Sequence, residues 1–318
     1  MDEVNRYALY TGINEFHGKD GSDKGSDLRG CRHDAEDDRR FMAAVGWRPR
    51  AEVSLFDREA TASRELEELE RLVDLSEPPA HVLWTHSSHG TRVPNATDST
   101  LLDEVMCCAD VHWYGDDFAR GCIRDKQIAR IIAKLRKGVK LFVKADLCHA
   151  GDLTRAFTIF GHRSYYVPRY LPNPHLGELG RMPAKQFGLQ AIFDFFGLGE
   201  EETGRPASTT VPLNIPASYQ VGPGEVVHED MSDVVLWAAC DRRQTAADAF
   251  IGGTHQGAFS WGWKKALWTL LGHEDRAPVR PTLSDHHRAL RALLKGQDFD
   301  QDPQLETSLG NMTSTIFP

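Results

Sequence analysis

The sequence predicts an α/β protein with a mostly parallel central sheet and helices on both faces. Three observations predict it. Short apolar runs that read as buried strands recur along the chain. They alternate with segments of helical spacing, the pattern of strand–helix–strand units. Two of the runs end in tight clusters of small and polar residues, and open α/β sheets place their sites at the carboxyl ends of strands.

The elements follow in chain order. Residues 6–14 (RYALYTGIN) read as a short buried strand ending at Gly12, and a polar, glycine-rich stretch over 18–30 follows. Residues 34–45 have helical spacing, with Ala35, Phe41, Met42 and Val45 on one side. Residues 52–56 form a second strand. Thr61 suits the N-cap of a helix running to about Leu75, with Glu65 and Glu67 in its first turns. Residues 81–85 (HVLWT) are a third apolar run. Residues 124–135 make an amphipathic helix with Ile128, Ile131, Ile132 and Leu135 on its apolar face. Residues 140–145 (KLFVKA) are a fourth strand.

Residues 152–230 read mostly as loop or linker, rich in Pro and Gly, with one helix over 185–196. A buried strand resumes at 234–239, and a helix over 257–271 carries three tryptophans. Thr282 caps a helix through Leu294, and the tail from 297 onward is polar and turn-rich. The expected division is a large catalytic portion (1–155), a linker or processing region (156–230) and a small portion completing the sheet and cleft (231–318).

Composition bounds the function. At roughly 150 residues per domain, 318 residues correspond to two domains or one large α/β domain. The hydrophobic fraction of 41% and charged fraction of 26% are those of a globular chain. A net charge of −9 argues against sequence-independent nucleic-acid binding, which needs a basic footprint. The first ten residues lack the apolar core of a signal peptide. No run reaches the ~18 apolar residues of a membrane span, so no membrane partner is expected. The six cysteines form no CxxC pair, so no zinc knuckle is indicated and the thiols are expected to be reduced and cytoplasmic.

The two polar clusters carry the chemistry. One reads Thr85-His-Ser-Ser-His-Gly90, the other Lys144-Ala-Asp-Leu-Cys-His-Ala-Gly151. Neighbouring parallel strands would bring His89 and Cys148 face to face. A free thiol near pKa 8.5 is only slightly ionised at neutral pH, so an imidazole must raise its thiolate fraction or take its proton. The same imidazole can protonate a leaving amine. The backbone N–H groups of Gly90 and Cys148 could form an oxyanion hole. A cysteine ending a buried strand can also be a small core residue.

These segments resemble the catalytic motifs of the caspase-like cysteine peptidases, above all the metacaspase and orthocaspase branch, which read S-G-H-G and D-x-C-H-S-G. Here they are Ser87-Ser-His-Gly90 and Asp146-Leu-Cys-His-Ala-Gly151. Ala8-Leu-Tyr-Thr-Gly-Ile-Asn14 is similar to the family's first strand and Leu28-Arg-Gly-Cys-Arg-His-Asp-Ala35 to its L-x-G-C-x-x-D-A motif. Asp103-Glu104 falls near the usual D-E loop. Ala239-Cys-Asp-Arg-Arg-Gln-Thr-Ala-Ala-Asp248 and Gly257-Ala-Phe-Ser260 resemble the small-subunit signature, and Pro303-Gln-Leu-Glu306 the closing motif. The resemblance spans nearly the whole chain.

It implies a caspase-like α/β/α sandwich, with Cys148 as nucleophile and His89 as general acid/base. His86 and His149 then read as structural residues. It also implies an S1 pocket of Cys31, Asp34, Ser87 and Asp146. Carboxylates converging on one pocket suit a P1 arginine or lysine, although Asp34 could instead cap a helix. The expected partners are protein or peptide substrates with a basic P1 residue, and an upstream activating protease or regulator is possible.

Many metacaspases need calcium, but the corresponding positions here read Arg124-Asp125 and Arg155. Cations are a poor fit where a hard ion needs carboxylate oxygen. Weak or absent calcium dependence is therefore expected, calcium being disfavoured and no other cofactor or metal indicated, and Asp116-Asp117 reads as a solvated acidic loop. Family members are often processed in the linker after a basic residue, which makes Arg163, Arg169, Arg181, Lys185 and Arg205 candidates, and an intact linker could cover the site as a brake. Two other functions remain on the sequence alone. One is a non-proteolytic scaffold on the same fold. The other is a metal hydrolase built on His86, His89 and His149, which lacks an HExxH spacing.

Overall fold

The computed structural model describes residues 4–16, 27–94, 102–111, 120–148, 166–171, 184–185, 218–228, 233–241, 244–272 and 281–316. Its core is an eight-stranded sheet. In chain order the elements are β1 (Asn5–Gly12), α1 (Cys31–Ala44), β2 (Ala51–Phe56), α2 (Ala62–Leu75), β3 (Ala80–Ser87), β4 (Gly90–Pro94), β5 (Leu102–Cys107) and β6 (Cys122–Ile123). Then come α3 (Asp125–Ile132), β7 (Val139–Asp146), β8 (Tyr166–Pro168), β9 (Ala184–Lys185), β10 (Ser218–Gly222), β11 (Glu225–His228) and β12 (Val234–Ala238). The chain closes with β13 (Ala247–Ile251), β14 (Thr254–Gly257), α4 (Ala258–Leu270), α5 (Leu283–Gly296), β15 (Gln304–Thr307) and α6 (Leu309–Met312).

The main sheet runs β10-β11-β15-β12-β7-β3-β1-β2. Strands β2, β1, β3, β7 and β12 are mutually parallel, and β15 turns antiparallel to β12. Alternating side chains feed two cores, as the two-residue period of a strand requires. Tyr7, Leu9, Val82, Trp84, Leu141 and Val143 face one side with Leu69 and Leu72 of α2 and Ile128 and Ile131 of α3. Ala8, Tyr10, Leu83, Phe142, Val235 and Trp237 face the other with Met42 of α1, Phe259 and Trp263 of α4 and Leu290 of α5. The architecture is thus the helix–sheet–helix sandwich expected from the alternation of elements.

Thr61 caps α2 by accepting from the Arg64 N–H at 3.3 Å. Thr282 caps α5 in a reciprocal box with Asp285. The tail differs from its turn-rich reading, because β15 inserts into the sheet between β11 and β12. The linker region is not all loop either, since β8, β10 and β11 lie in it. Of the helix expected over 185–196, Lys185 instead ends strand β9 and the rest falls outside the described residues. So do His149, Asp116-Asp117, Arg155, Arg163, Arg181 and Arg205. Among the described residues no helix is long and apolar enough to cross a membrane.

What matters for the site is register. Gly12 of β1 lies level with Ser87 of β3, and Ser87 with Asp146 of β7. Three strand ends therefore stop in one row. Beside them sit two small sheets, β14-β13-β8 and β4-β5-β6, with β9 against β5.

Candidate active site

The motif residues of β3 and β7 leave their strands side by side. The Ser88 N–H donates to the Asp146 carbonyl at 3.3 Å. A Cβ on Gly90 would lie 1.9 Å from the Cys148 carbonyl oxygen, so only glycine lets these two backbones meet. Cys148 is buried. Its Sγ accepts from the Ala246 N–H at 2.9 Å and lies 3.4 Å from the Ala246 carbonyl oxygen. Burial pushes the thiol pKa well up, nearby Cys240 adds to this, and the Ala246 N–H opposes it. At neutral pH the closed arrangement holds a thiol rather than a thiolate. The His89 ring packs against Phe16 at 4.9 Å between centroids. The His89 carbonyl accepts from the Cys107 N–H at 2.9 Å, which fixes the loop to β5. His86 is fully buried and its Nδ1 lies 2.8 Å from Glu65 Oε1, which also accepts from Trp84 Nε1. His86 thus belongs to the core beneath the site.

Asp34, Ser87 and Asp146 surround one buried guanidinium, that of Arg169. Its Nη2 lies 2.6 Å from Asp34 Oδ2. Its Nη1 lies 3.0 Å from Asp146 Oδ2 and donates to Ser87 Oγ at 2.7 Å. Asp34 is not a cap: Gly30 is the N-cap of α1, without a side-chain bond, and Asp34 lies within the first turn. Its carboxylate also accepts from the Gly257 N–H at 3.0 Å and from Ser87 Oγ at 2.9 Å. Burial would raise its pKa, but Arg169, with Lys264 and Lys144 behind it, holds it below the usual carboxylate value. Asp146 goes the other way: burial lifts its pKa and Asp34 adds to that lift, although Arg169 opposes both. Cys31, the first residue of α1, is buried, and burial raises its thiol pKa although Arg169 nearby opposes this.

Sequence reasoning missed two members of this site. Asp248 of β13 places Oδ1 3.2 Å from Arg169 Nη2, while its Oδ2 accepts from the Arg29 and Gly30 N–H groups. Gly257 is the second: a Cβ there would fall 2.2 Å from Asp146 Oδ2 and 2.7 Å from Arg169 Nη1. The signal was present, since both lie in or beside the small-subunit signature, but nothing in that signature says which side chain faces the slot.

The backbone of Arg169 is held as firmly as its side chain. Its carbonyl oxygen accepts from the Gly90 N–H at 2.9 Å and the Cys148 N–H at 3.2 Å. Its N–H donates to the Ala246 carbonyl at 3.1 Å. Upstream, β8 pairs antiparallel with β13, with Val167 opposite Asp248 and Pro168 opposite Ala247. A stretch of the linker therefore lies extended across the site with an arginine in the acidic slot.

Of the positions weighed for calcium, Arg124-Asp125 lies among the described residues and Arg155 does not. Arg124 Nη1 lies 2.6 Å from Asp103 Oδ2, so a guanidinium sits where a cation would need oxygen donors. Lys185, a linker candidate, lies on β9 opposite Asp103 of β5, away from the slot.

Comparison with known families matches residues 5–312 to the caspase domain. Among curated proteins, Metacaspase-1A of Aspergillus clavatus is 28% identical over 82% of this chain and 58% of its own length. Metacaspase-1B of Neosartorya fischeri is 28% identical over 95% of this chain and 69% of its own. Metacaspase-1 of Kluyveromyces lactis is 26% identical over 95% and 66%. The chain spans about three-fifths of the length of the first of these relatives. A solved structure of protein GSU0716 from Geobacter sulfurreducens shares the fold at a TM-score of 0.60 and 20% identity, covering 98% of this chain and 97% of that one.

Proposed function

This chain belongs to the caspase-domain family, and on that premise we propose that it is a cysteine endopeptidase that cleaves after arginine, and less well after lysine, with Cys148 as nucleophile and His89 as general acid/base. The observation that carries the reading is Arg169. Its guanidinium meets Asp34, Asp146 and Asp248, while its carbonyl oxygen receives two converging N–H groups. That is how a P1 arginine would have to sit for attack: charge neutralised in the slot, oxygen where the oxyanion will develop.

On this reading the steps are those of a thiol peptidase with a Cys-His pair. Cys148 gives its proton to His89 and the sulfur attacks the carbonyl carbon of the P1 residue. The tetrahedral oxyanion is held by the Gly90 and Cys148 N–H groups, an arrangement worth roughly 3–4 kcal/mol per donor in acyl transfer. The C–N bond breaks, and His89 protonates the departing amine. Water, deprotonated by His89, then hydrolyses the thioester, which restores the thiol and frees a carboxylate.

The intact chain is by this reading its own first substrate, cut between Arg169 and Tyr170. Until then the linker blocks the cleft, and the protonated Cys148 thiol on Ala246 keeps the site at rest. The pairing of Arg124 with Asp103 supports activity without added calcium.

The test combines peptides carrying P1 Arg, Lys or Asp, with and without chelator, and mass spectrometry of the chain itself. Cleavage after Arg that resists chelation, cleavage at Arg169–Tyr170, and loss of both in Cys148→Ala are expected. Arg cleavage surviving Cys148→Ala, or a preference for Asp, would overturn the assignment. Turnover of no peptide by a folded chain would leave the scaffold reading in its place.

A further inference from the structure

We propose that the site has a second specificity pocket on the leaving-group side, one that takes an apolar residue at P2′, so that its substrates read Arg–X–Leu rather than Arg alone. The inference rests on the peptidase reading above and extends it to the part of the substrate that departs.

The residues after Arg169 are held as closely as Arg169 itself. Tyr170 forms a parallel bridge with Gly90. The Leu171 N–H donates to the Gly90 carbonyl at 2.9 Å, and the Leu171 carbonyl accepts from Thr91 Oγ1 at 2.5 Å. The single residue Gly90 thus donates to the P1 carbonyl and accepts from the P2′ N–H. Any substrate lying in the cleft in this register has its second leaving-group residue fixed against β4.

Side-chain burial then gives the pocket its chemistry. Leu171 is only 1% exposed and joins the core that contains Val93, Val105, Met106 and Leu147. Tyr170, by contrast, is half-buried. P1′ is therefore loosely specified and P2′ is enclosed. A leucine-sized side chain gains by leaving water there, whereas a carboxylate in the same place would be desolvated without a partner. Val167, at P3, is 45% exposed and Pro168, at P2, is only partly buried, so the fully enclosed side chains of this stretch, from Val167 to Leu171, are those at P1 and P2′.

The test uses the full chain after it has completed its own processing. The probes are internally quenched peptides built on Tyr-Val-Pro-Arg-Tyr-Leu, with Leu, Gly or Asp at P2′ and everything else constant. A parallel set keeps Leu at P2′ and varies P1 among Arg, Leu and Asp. The expected result is a kcat/KM at least tenfold higher for P2′ Leu than for P2′ Gly, with Asp lower still. Equal kcat/KM across the P2′ set, with the P1 Arg preference intact, would overturn the pocket and leave the peptidase reading standing. No preference for P1 Arg would overturn that reading, and the pocket with it. Mass spectrometry of the chain carrying Leu171→Asp gives a second measure. Self-cleavage at Arg169–Tyr170 is expected to slow at least tenfold, and an unchanged rate counts against the pocket.

Discussion

A guanidinium presents N–H groups in several directions at once, whereas an ammonium is a single compact charge. In the slot this difference is spread over three carboxylates. Nη2 of Arg169 faces Asp34 and Asp248, and Nη1 faces Asp146 and Ser87. A lysine reaching the same depth would satisfy only some of them. Arginine peptides are therefore expected to exceed lysine peptides by at least tenfold in kcat/KM. Asp248→Asn should cost Arg peptides about tenfold and narrow the gap to Lys, because the lost charge is one that only the guanidinium spans. An unchanged Arg-to-Lys ratio in that variant would assign Asp248 to holding the Arg29–Gly30 loop alone. That Asp34, Ser87 and Asp146 would converge was expected from the resemblance of their short motifs to those of the caspase-like peptidases, and the structure brings the three together around Arg169. Asp248 was not expected there, since its role depends on β13 folding back across the site from far along the chain. Arg169 was one of five basic linker residues, and nothing in sequence distinguishes the one whose backbone fits between Ala246 and Gly90.

At the scale of elements, the buried strands and the capped helices were the legible part. Apolar runs at 6–14, 81–85, 140–145 and 234–239 correspond to β1, β3, β7 and β12, and the residues marked as caps at Thr61 and Thr282 are the caps. The strand β15 was not legible. Its four residues, Gln304–Thr307, hold one aliphatic side chain, and its place in the sheet comes from pairing with β12 and β11 rather than from its own pattern. The short β13–β14 hairpin was missed for a similar reason, as its register follows from packing on α1 and α4. The α5 cap carries its own prediction. Thr282 Oγ1 accepts from the Asp285 N–H at 3.1 Å, and Asp285 Oδ2 accepts in return from the Thr282 N–H at 3.1 Å. Thr282→Ala removes half of this box and is expected to cost about 1 kcal/mol in urea unfolding, with peptide turnover unchanged because the bonds lost are those of Thr282 with Asp285 at the helix start.

For the whole molecule, acid stability follows from where the histidines lie. One core face is an aromatic layer of Trp47, Phe142, Trp237 and Trp263, and two histidines are set into it. His81 lies against Trp47 and Phe142, and His286 against Trp237 and Trp263, with its Nε2 2.9 Å from the Trp263 carbonyl. Burial brings the pKa of each down to about 4, helped at His81 by Lys140 and Arg6. Burial, with His286 and Arg291, brings neighbouring His287 to about 3. Unfolded, all three would take up protons near pH 6.5. The folded chain thus binds fewer protons than the unfolded chain between about pH 6.5 and 4, and stability falls as pH drops through that window. The buried carboxylates act lower down. Glu65 would be raised by burial but is held below its ordinary value by His86 and Trp84, so its contribution persists until the pH passes below the usual carboxylate range. The expected thermal profile is a Tm that is flat between about pH 7 and 8, declines steadily from about 6.5 downward, and falls again above about 8.5, where unfolded thiols ionise and the buried ones, raised by burial, do not. Scanning calorimetry across that range checks it. A Tm constant down to pH 5 would mean that the histidines are charged within the fold, against the cost of burying a charge in that layer.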